Sequence, residues 1–252
     1  MQRSRDLVWD GCLNVRDLGG FRTGDGEETR FDSIVRADSV RQLSDDGWAA
    51  LVDYGVTTII DLRNDQERQE DPPYEVPVQV LHVPFMEATE AEWKEIEERL
   101  EEAVRAAPDV TVATRDVYLI FLEHFKDNVA AGIRAVADAP EGAVLIHCMG
   151  GKDRTGLLSA FLLHLAGVDV EQIAEDYALS EVRLQPRHEE WFAAAESDEE
   201  RERLQRIAQT PAGSMLGVFA ELERRHGSVE GFLRDAGVTD EELERARARL
   251  RA

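Results

Sequence analysis

Residues 147–156 read HCMGGKDRTG, gathering one of only two cysteines, a histidine, two consecutive glycines, a lysine, an aspartate and an arginine. An apolar run ends at His147 and another begins at Gly156, so Cys148 to Arg154 must turn between a strand and a helix. On such a turn successive backbone N–H groups converge on one point, and the helix N-terminus adds its positive end. The segment is therefore an anion trap. Gly150 and Gly151 allow backbone angles and a close ligand approach that a Cβ would hinder. The planar fork of Arg154 can hold two oxygens of one anion, which a lysine cannot do. The same positive surroundings favour thiolate over thiol at Cys148 and make it a nucleophile.

These groups fit phosphoryl chemistry. In-line attack by Cys148 would give a phosphocysteine while the amides of Met149, Gly150, Gly151, Lys152 and Asp153, with Arg154, hold the equatorial oxygens. Water would then release phosphate. Thr155 is placed to hydrogen-bond the departing sulfur, and His147 is expected to orient the loop through backbone hydrogen bonds. The scheme calls for no metal and no cofactor.

Other readings of the loop fit less of it. A buried core cysteine before a glycine turn accounts for neither the arginine at 154 nor the glycine at 156. A nucleotide-binding loop needs Ser or Thr after Gly-Lys, where Asp153 stands. A sulfurtransferase or arsenate reductase also sets a cysteine in an anion-binding turn, but the reductases use further cysteines and only Cys12 is available. A catalytically silent phosphoprotein-binding module is the main non-enzyme alternative; binding alone needs no nucleophile.

The loop needs a scaffold. Apolar runs at Val56 to Leu62, Val78 to Val83 and Ala143 to His147 read as three buried parallel strands separated by helical patterns. That alternation predicts an α/β fold with a parallel-rich central sheet flanked by helices. Gly24-Asp25-Gly26 marks a hairpin between two β-like runs, and Ser44 caps a helix that Gly55 ends. Glu90 to Ala107 reads as a glutamate-rich helix with Trp93, Ile96, Leu100 and Val104 on one face, followed by a helical stretch over Tyr118 to Ala139. Gly156 to Ala166 is apolar nearly all round, as a buried helix should be, and Gly167 can end it. Asp169 with Gln172, and Thr239 with Glu242, are spaced as capping boxes. Ser180 to Thr210 is rich in charge and poor in core residues, a candidate helical lid within 180–210.

At 252 residues, with no repeat or Pro/Gly/Ser linker, a single domain over 1–252 is the simplest account. The formal charge of −23 works against nucleic acid and anionic membrane as partners. No apolar run approaches a membrane span, and MQRSRDLVWDG lacks the apolar core of a secretion signal, so a cytoplasmic location is expected. Cys12 and Cys148 read as free thiols, with a reversible disulfide between them as the alternative. Oligomeric state is not legible.

The loop resembles the His-Cys-x5-Arg signature of cysteine-dependent protein tyrosine phosphatases. Asn14-Val15-Arg16-Asp17-Leu18-Gly19-Gly20 is similar to the Asn-x-Arg-Asp-Leu-Gly-Gly segment of a bacterial branch that includes a secreted mycobacterial tyrosine/lipid phosphatase. Asp61-Leu62-Arg63, with Glu67 after it, resembles that branch's Asp-Leu-Arg strand end. Gly227-Ser228 and Phe232 to Val238 resemble its C-terminal region, so the likeness spans most of the chain.

The resemblance implies a tyrosine-phosphatase fold and hydrolysis of a phosphotyrosine protein or a small phosphomonoester. It also implies that Asn14, Arg16 and Asp17 pack behind the phosphate loop and fix its shape. No Trp-Pro-Asp stretch is present, so the general acid is expected at Asp61 or at Asp153, with Asp61 favoured. Lys152 resembles a lysine that some phosphoinositide phosphatases carry, which keeps a phosphoinositide or dual-specificity substrate open behind phosphotyrosine. Met149 and Gly150 depart from the bulkier-then-alanine pair of the branch and alter pocket shape rather than chemistry.

Overall fold

The computed structural model describes residues 3–70, 76 and 78–251. Its strands are β1 (Arg16–Asp17), β2 (Ile34–Ala37), β3 (Val56–Asp61), β4 (Gln79–His82) and β5 (Ala143–His147). The helices that follow β2 and β3 are α1 (Asp45–Asp53) and α2 (Asp65–Glu70). Between β4 and β5 run α3 (Glu90–Ala106), α4 (Val110–His124) and α5 (Lys126–Asp138). After β5 come α6 (Arg154–Leu165), α7 (Val170–Arg183), α8 (Gln185–Ala194), α9 (Asp198–Ala208), α10 (Ala212–His226), α11 (Val229–Asp235) and α12 (Asp240–Leu250).

The sheet order is β1-β2-β5-β3-β4, with β1 antiparallel to β2 and the other pairings parallel. Side chains of a strand alternate between faces, and both faces are apolar here. Ile34, Ile60, Val144 and Ile146 join a core built with α4 to α7 and α10 to α12. Val35, Ala37, Ile59 and Leu145 turn the other way, onto α1, Trp9 and Val15. Burying each such valine, leucine or isoleucine side chain contributes about 1.5–3 kcal/mol. A layer of helices on one face and α1 with the N-terminal segment on the other therefore flank the sheet, which the βαβ alternation predicts to be parallel-rich and helix-flanked.

Register brings the site together. Ala37 of β2 and Asp61 of β3 both pair with His147 of β5, so three parallel strands end side by side. Chain leaving those ends converges on one rim, where ligands bind in open α/β sheets.

Three local expectations change. Val78 to Val83 does not form a buried strand: β4 is the sheet edge, paired only with β3, and Val80 is 37% exposed. The helical stretch over Tyr118 to Ala139 belongs to two helices, α4 and α5, which meet at Phe125. Asp169 makes no side-chain cap to α7, and Gln172 Nε2 instead donates to the Arg22 carbonyl at 3.1 Å. Thr239 and Glu242 do form a reciprocal capping box on α12, and Ser44 caps α1 by accepting from the Gly47 amide. The turn at Gly24 to Gly26 joins an antiparallel bridge between Arg22 and Glu28. No described helix is long and apolar enough to cross a membrane.

Candidate active site

Cys148 follows β5 directly and is 2% exposed, with α6 starting at Arg154. The carbonyls of the intervening turn face backwards onto fixed donors. Met149 O accepts from the Ser39 amide at 2.9 Å, and Gly150 O from Asn14 Nδ2 at 3.0 Å. Gly151 O accepts from Asn14 Nδ2 at 3.1 Å and from Arg36 Nη2 at 2.8 Å. Among the described residues, the amides of Gly150, Gly151, Lys152 and Asp153 donate to no protein acceptor. With the carbonyls engaged on the outer side, those N–H groups are available to an anion at the start of α6.

Gly151 is where the turn depends on glycine. Its φ is +64°, and a Cβ there would stand 2.2 Å from the Ala37 carbonyl oxygen. Both facts exclude a larger residue.

Behind the loop lies a buried ionic network. Arg16 and Arg36 converge on Asp176 of α7, with Arg16 Nε 2.9 Å from Oδ1 and Arg36 Nη1 2.8 Å from Oδ2. Arg16 Nη1 also donates to Asn14 Oδ1 at 2.6 Å, which orients the amide that holds the loop carbonyls. Burial pushes the Asp176 carboxyl up, but Arg16 and Arg36 outweigh it and hold the group well below the usual range. Asp17 is not part of this network. Its carboxylate accepts from the amides of Gly19 at 2.6 Å and Asp32 at 2.8 Å and from the Tyr54 hydroxyl, and so braces the turn between β1 and β2.

Arg154 is held by Glu67, which is also engaged at its own helix end. Arg154 Nη2 lies 2.7 Å from Glu67 Oε1, and Nη1 donates to Oε2. Glu67 Oε2 also accepts from the Asn64 amide at 2.9 Å, while Asn64 Oδ1 accepts from the Glu67 amide at 2.8 Å. The guanidinium is thus anchored to the reciprocal cap of α2. Burial raises the Glu67 carboxyl, and the Arg154 hydrogen bond overcomes that and lowers it.

The two candidate acids sit in different surroundings. Asp61 is 2% exposed and clamped by Arg63, with Nη2 2.8 Å from Oδ2 and Nε 3.0 Å from Oδ1. Burial raises its carboxyl; the Arg63 bonds and the nearby His147 bring it below the ordinary value. Asp153 has a side chain 42% exposed and accepts from the Tyr118 hydroxyl at 2.5 Å. Burial raises it too, but Lys152 and Tyr118 lower it further. A phosphate dianion arriving beside Asp153 would push the other way, because a like charge favours the protonated acid.

His147 is buried, with Nδ1 3.1 Å from the Cys148 carbonyl and Nε2 3.7 Å from Asp61. Burial lowers its pKa despite that aspartate, so it faces the loop as a neutral ring. The Thr155 hydroxyl is buried with no hydrogen-bond partner among the described residues, so it is available to a group bound next to it. Cys12 is a free thiol whose sulfur donates to the Ser39 carbonyl at 3.4 Å. Burial pushes its pKa far up, which leaves it unreactive as a nucleophile.

Residues 180–210 form the end of α7, then α8 and α9, above the loop. Lys152 Nζ reaches the Ile207 carbonyl near the end of α9 at 2.6 Å, and Arg187 of α8 donates to buried Asp38 at 2.9 Å. Between α3, α4 and α9 lies a cleft of about 1020 Å³, apolar along Leu100, Val104, Val117 and Phe121, with Lys152 and Asp153 among its lining residues.

Sequence reasoning brings together most of the loop and its supports Asn14 and Arg16, but misses Arg36, Asp176, Tyr118 and Tyr177. Arg36 stands in the buried strand IVRA, and a charge inside an apolar strand was the signal available. Asp176 lies on the buried face of α7 beside Ala174 and Tyr177. Tyr118 enters the sequence reading only as the start of a helical stretch, and Tyr177 does not enter it.

The tyrosine phosphatase family profile matches residues 7–252. A tyrosine-protein phosphatase of Nostoc commune is 30% identical over 87% of this chain and 74% of its own length. The triple specificity protein phosphatase PtpB of Mycobacterium tuberculosis is 27% identical, covering 95% of this chain and 97% of itself. A putative tyrosine-protein phosphatase of Cupriavidus necator is 26% identical over 95% of this chain and 87% of its own.

Proposed function

The chain belongs to the tyrosine phosphatase family, and from that premise we propose that it hydrolyses phosphotyrosine through a phosphocysteine formed on Cys148. The observation that carries the reading is the engagement of the Met149, Gly150 and Gly151 carbonyls by fixed donors, while the amides of Gly150 to Asp153 have no protein acceptor among the described residues. Those donors, already fixed before reaction, stabilise charge on the equatorial oxygens with little reorganisation. Arg154 adds a bidentate clamp whose direction Glu67 sets. As the S–P bond forms, the ester P–O bond breaks, and the departing oxygen needs a proton.

Asp153 is the acid in this scheme. Its partly exposed carboxyl adjoins the cleft, whereas both oxygens of Asp61 are taken up by Arg63. Thr155 offers a hydroxyl to the thiolate as water releases phosphate in the second step.

The apolar cleft above Lys152 and Asp153 suits an aromatic ring more than a polyol. Lys152 is engaged by the Ile207 carbonyl and Asp153, so it offers little to the extra phosphates of an inositol headgroup. Phosphate release from phosphotyrosyl peptides, phosphoseryl peptides and phosphoinositides tests the reading. Turnover of the phosphotyrosyl peptides that vanishes in Cys148→Ser is expected. Tight phosphopeptide binding without turnover would contradict it, and preference for phosphoinositides would replace the substrate.

A further inference from the structure

The two carboxylate oxygens of Asp153 are not equivalent. Oδ1 accepts from the Tyr118 hydroxyl at 2.5 Å and lies 3.2 Å from the Lys152 ammonium. Oδ2 accepts no hydrogen bond from the described residues. Tyr118 is 2% exposed in α4, and its hydroxyl also meets that of Tyr177 in α7 at 2.8 Å. The two rings meet edge to face with centroids 6.0 Å apart. The Tyr177 ring in turn lies against Gly156 in the first turn of α6, where an added Cβ would be 3.3 Å from Tyr177 Cδ2. Both hydroxyls are thus held by packing from three helices.

A phenol has one proton to donate. With that proton on Asp153, the Tyr118 oxygen can only accept from Tyr177, so donation runs from Tyr177 through Tyr118 to Oδ1. We infer that Tyr118 is the positioning residue for the general acid, occupying Oδ1 so that the proton Asp153 delivers is carried on Oδ2. The inference rests on the reading of Asp153 as the acid.

The proton balance follows. In the first step the Oδ2–H bond breaks as the leaving oxygen takes the proton, the ester P–O bond breaks and the S–P bond forms. Asp153 is left as a carboxylate, to which the Tyr118 hydrogen bond is stronger than to a neutral acid. In the second step that carboxylate takes a proton from water, the water oxygen bonds phosphorus, and the S–P bond breaks to give thiolate and phosphate.

Several groups surround Asp153. Lys152 and Arg154 face it from the loop, Tyr118 from α4 and Tyr177 from α7, with His188 of α8 close enough to interact. Arg105 of α3 and Arg203 and Arg206 of α9 line the same cleft. Tyr118→Phe leaves the other groups in place and removes one buried donor, the hydroxyl that also meets Tyr177. Loss of a donor to the carboxylate disfavours its charged form, so the acid stays protonated to higher pH.

The test uses the whole chain with phenyl phosphate as a poor leaving group and a dinitrophenyl phosphate as a good one. Tyr118→Phe is expected to lose about tenfold more kcat/KM, which reads the leaving-group step, on phenyl phosphate than on the dinitrophenyl ester, and to move the alkaline limb of that pH profile upward. In an Asp153→Asn background the same exchange should produce neither change. Equal losses on both esters, or an unmoved limb, would overturn the inference. Should Tyr118→Phe not fold, Tyr177→Phe removes the donor to Tyr118 and is expected to move the limb in the same direction; an unmoved limb there overturns it too. Failure of the acid reading is distinguishable, because Asp153→Asn alone would then show no dependence on the leaving group.

Discussion

Glu67 grips both terminal nitrogens of Arg154, with Nη2 to Oε1 at 2.7 Å, while serving as the reciprocal cap of α2. The arginine that opens α6 is thereby tied to a helix end that follows β3. Glu67→Ala should free the guanidinium to sample other directions. Because a misplacement of about 1 Å can cost about 100-fold, kcat/KM for a phosphotyrosyl peptide is expected to fall by about that factor. Steady-state kinetics with a circular-dichroism check of folding measure it.

Asp176 makes a separate prediction about the support network. Removing one partner of a buried ion pair costs about 3–5 kcal/mol, since the remaining charges stay buried. Asp176→Asn leaves Arg16 and Arg36 short of their shared counter-charge and should destabilise the fold by that order in urea titrations. Activity should fall too, although Asp176 lies behind the loop, because Arg36 and Asn14 then hold the Gly150 and Gly151 carbonyls less firmly.

The pH dependence of that contribution has a definite sign. The Asp176 pKa is depressed in the folded chain, so its stabilisation is fully present above the unfolded value of about 3.9 and is lost as pH falls below it. Stability measured between about pH 5 and pH 2 should decline more steeply in the wild type than in Asp176→Asn. Parallel curves would show that other carboxylates account for the acid loss.

The loop was legible in sequence because its groups are contiguous and each type has a distinct physical use in one anion site. Arg36 and Asp176 were not, since they meet across 140 residues through the parallel pairing of β2 with β5 and the packing of α7. The same reason hid Tyr118, which lies 35 residues before its partner Asp153. Strands β3 and β5 read correctly as buried apolar runs, whereas β4 has a similar composition but occupies an edge, a matter of sheet order rather than of local pattern. Asp61 looked suited to acid catalysis at a strand end, but Arg63, two residues on, takes both of its oxygens.

Asp61→Asn therefore behaves differently from an acid knockout. It breaks a buried pair with Arg63, so stability should fall, and rates on phenyl phosphate and a dinitrophenyl phosphate should fall by the same factor. A loss confined to the poor leaving group would return the acid role to Asp61.

Lys152 joins the phosphate loop to the end of α9 through the Ile207 carbonyl. Lys152→Met removes that tie and should speed limited proteolysis within residues 195–209, because opening free energies follow local contacts. Unchanged cleavage would mean that Arg187 on Asp38 is sufficient to hold α8 and α9.

The most direct measurement is rapid acid quench of the enzyme turning over a phosphotyrosyl peptide, followed by mass mapping of the trapped chain. A phosphoryl group on Cys148, absent in Cys148→Ser together with phosphate release, is the predicted result. Continued phosphate release by Cys148→Ser, or a phosphoryl group on another side chain, would contradict it.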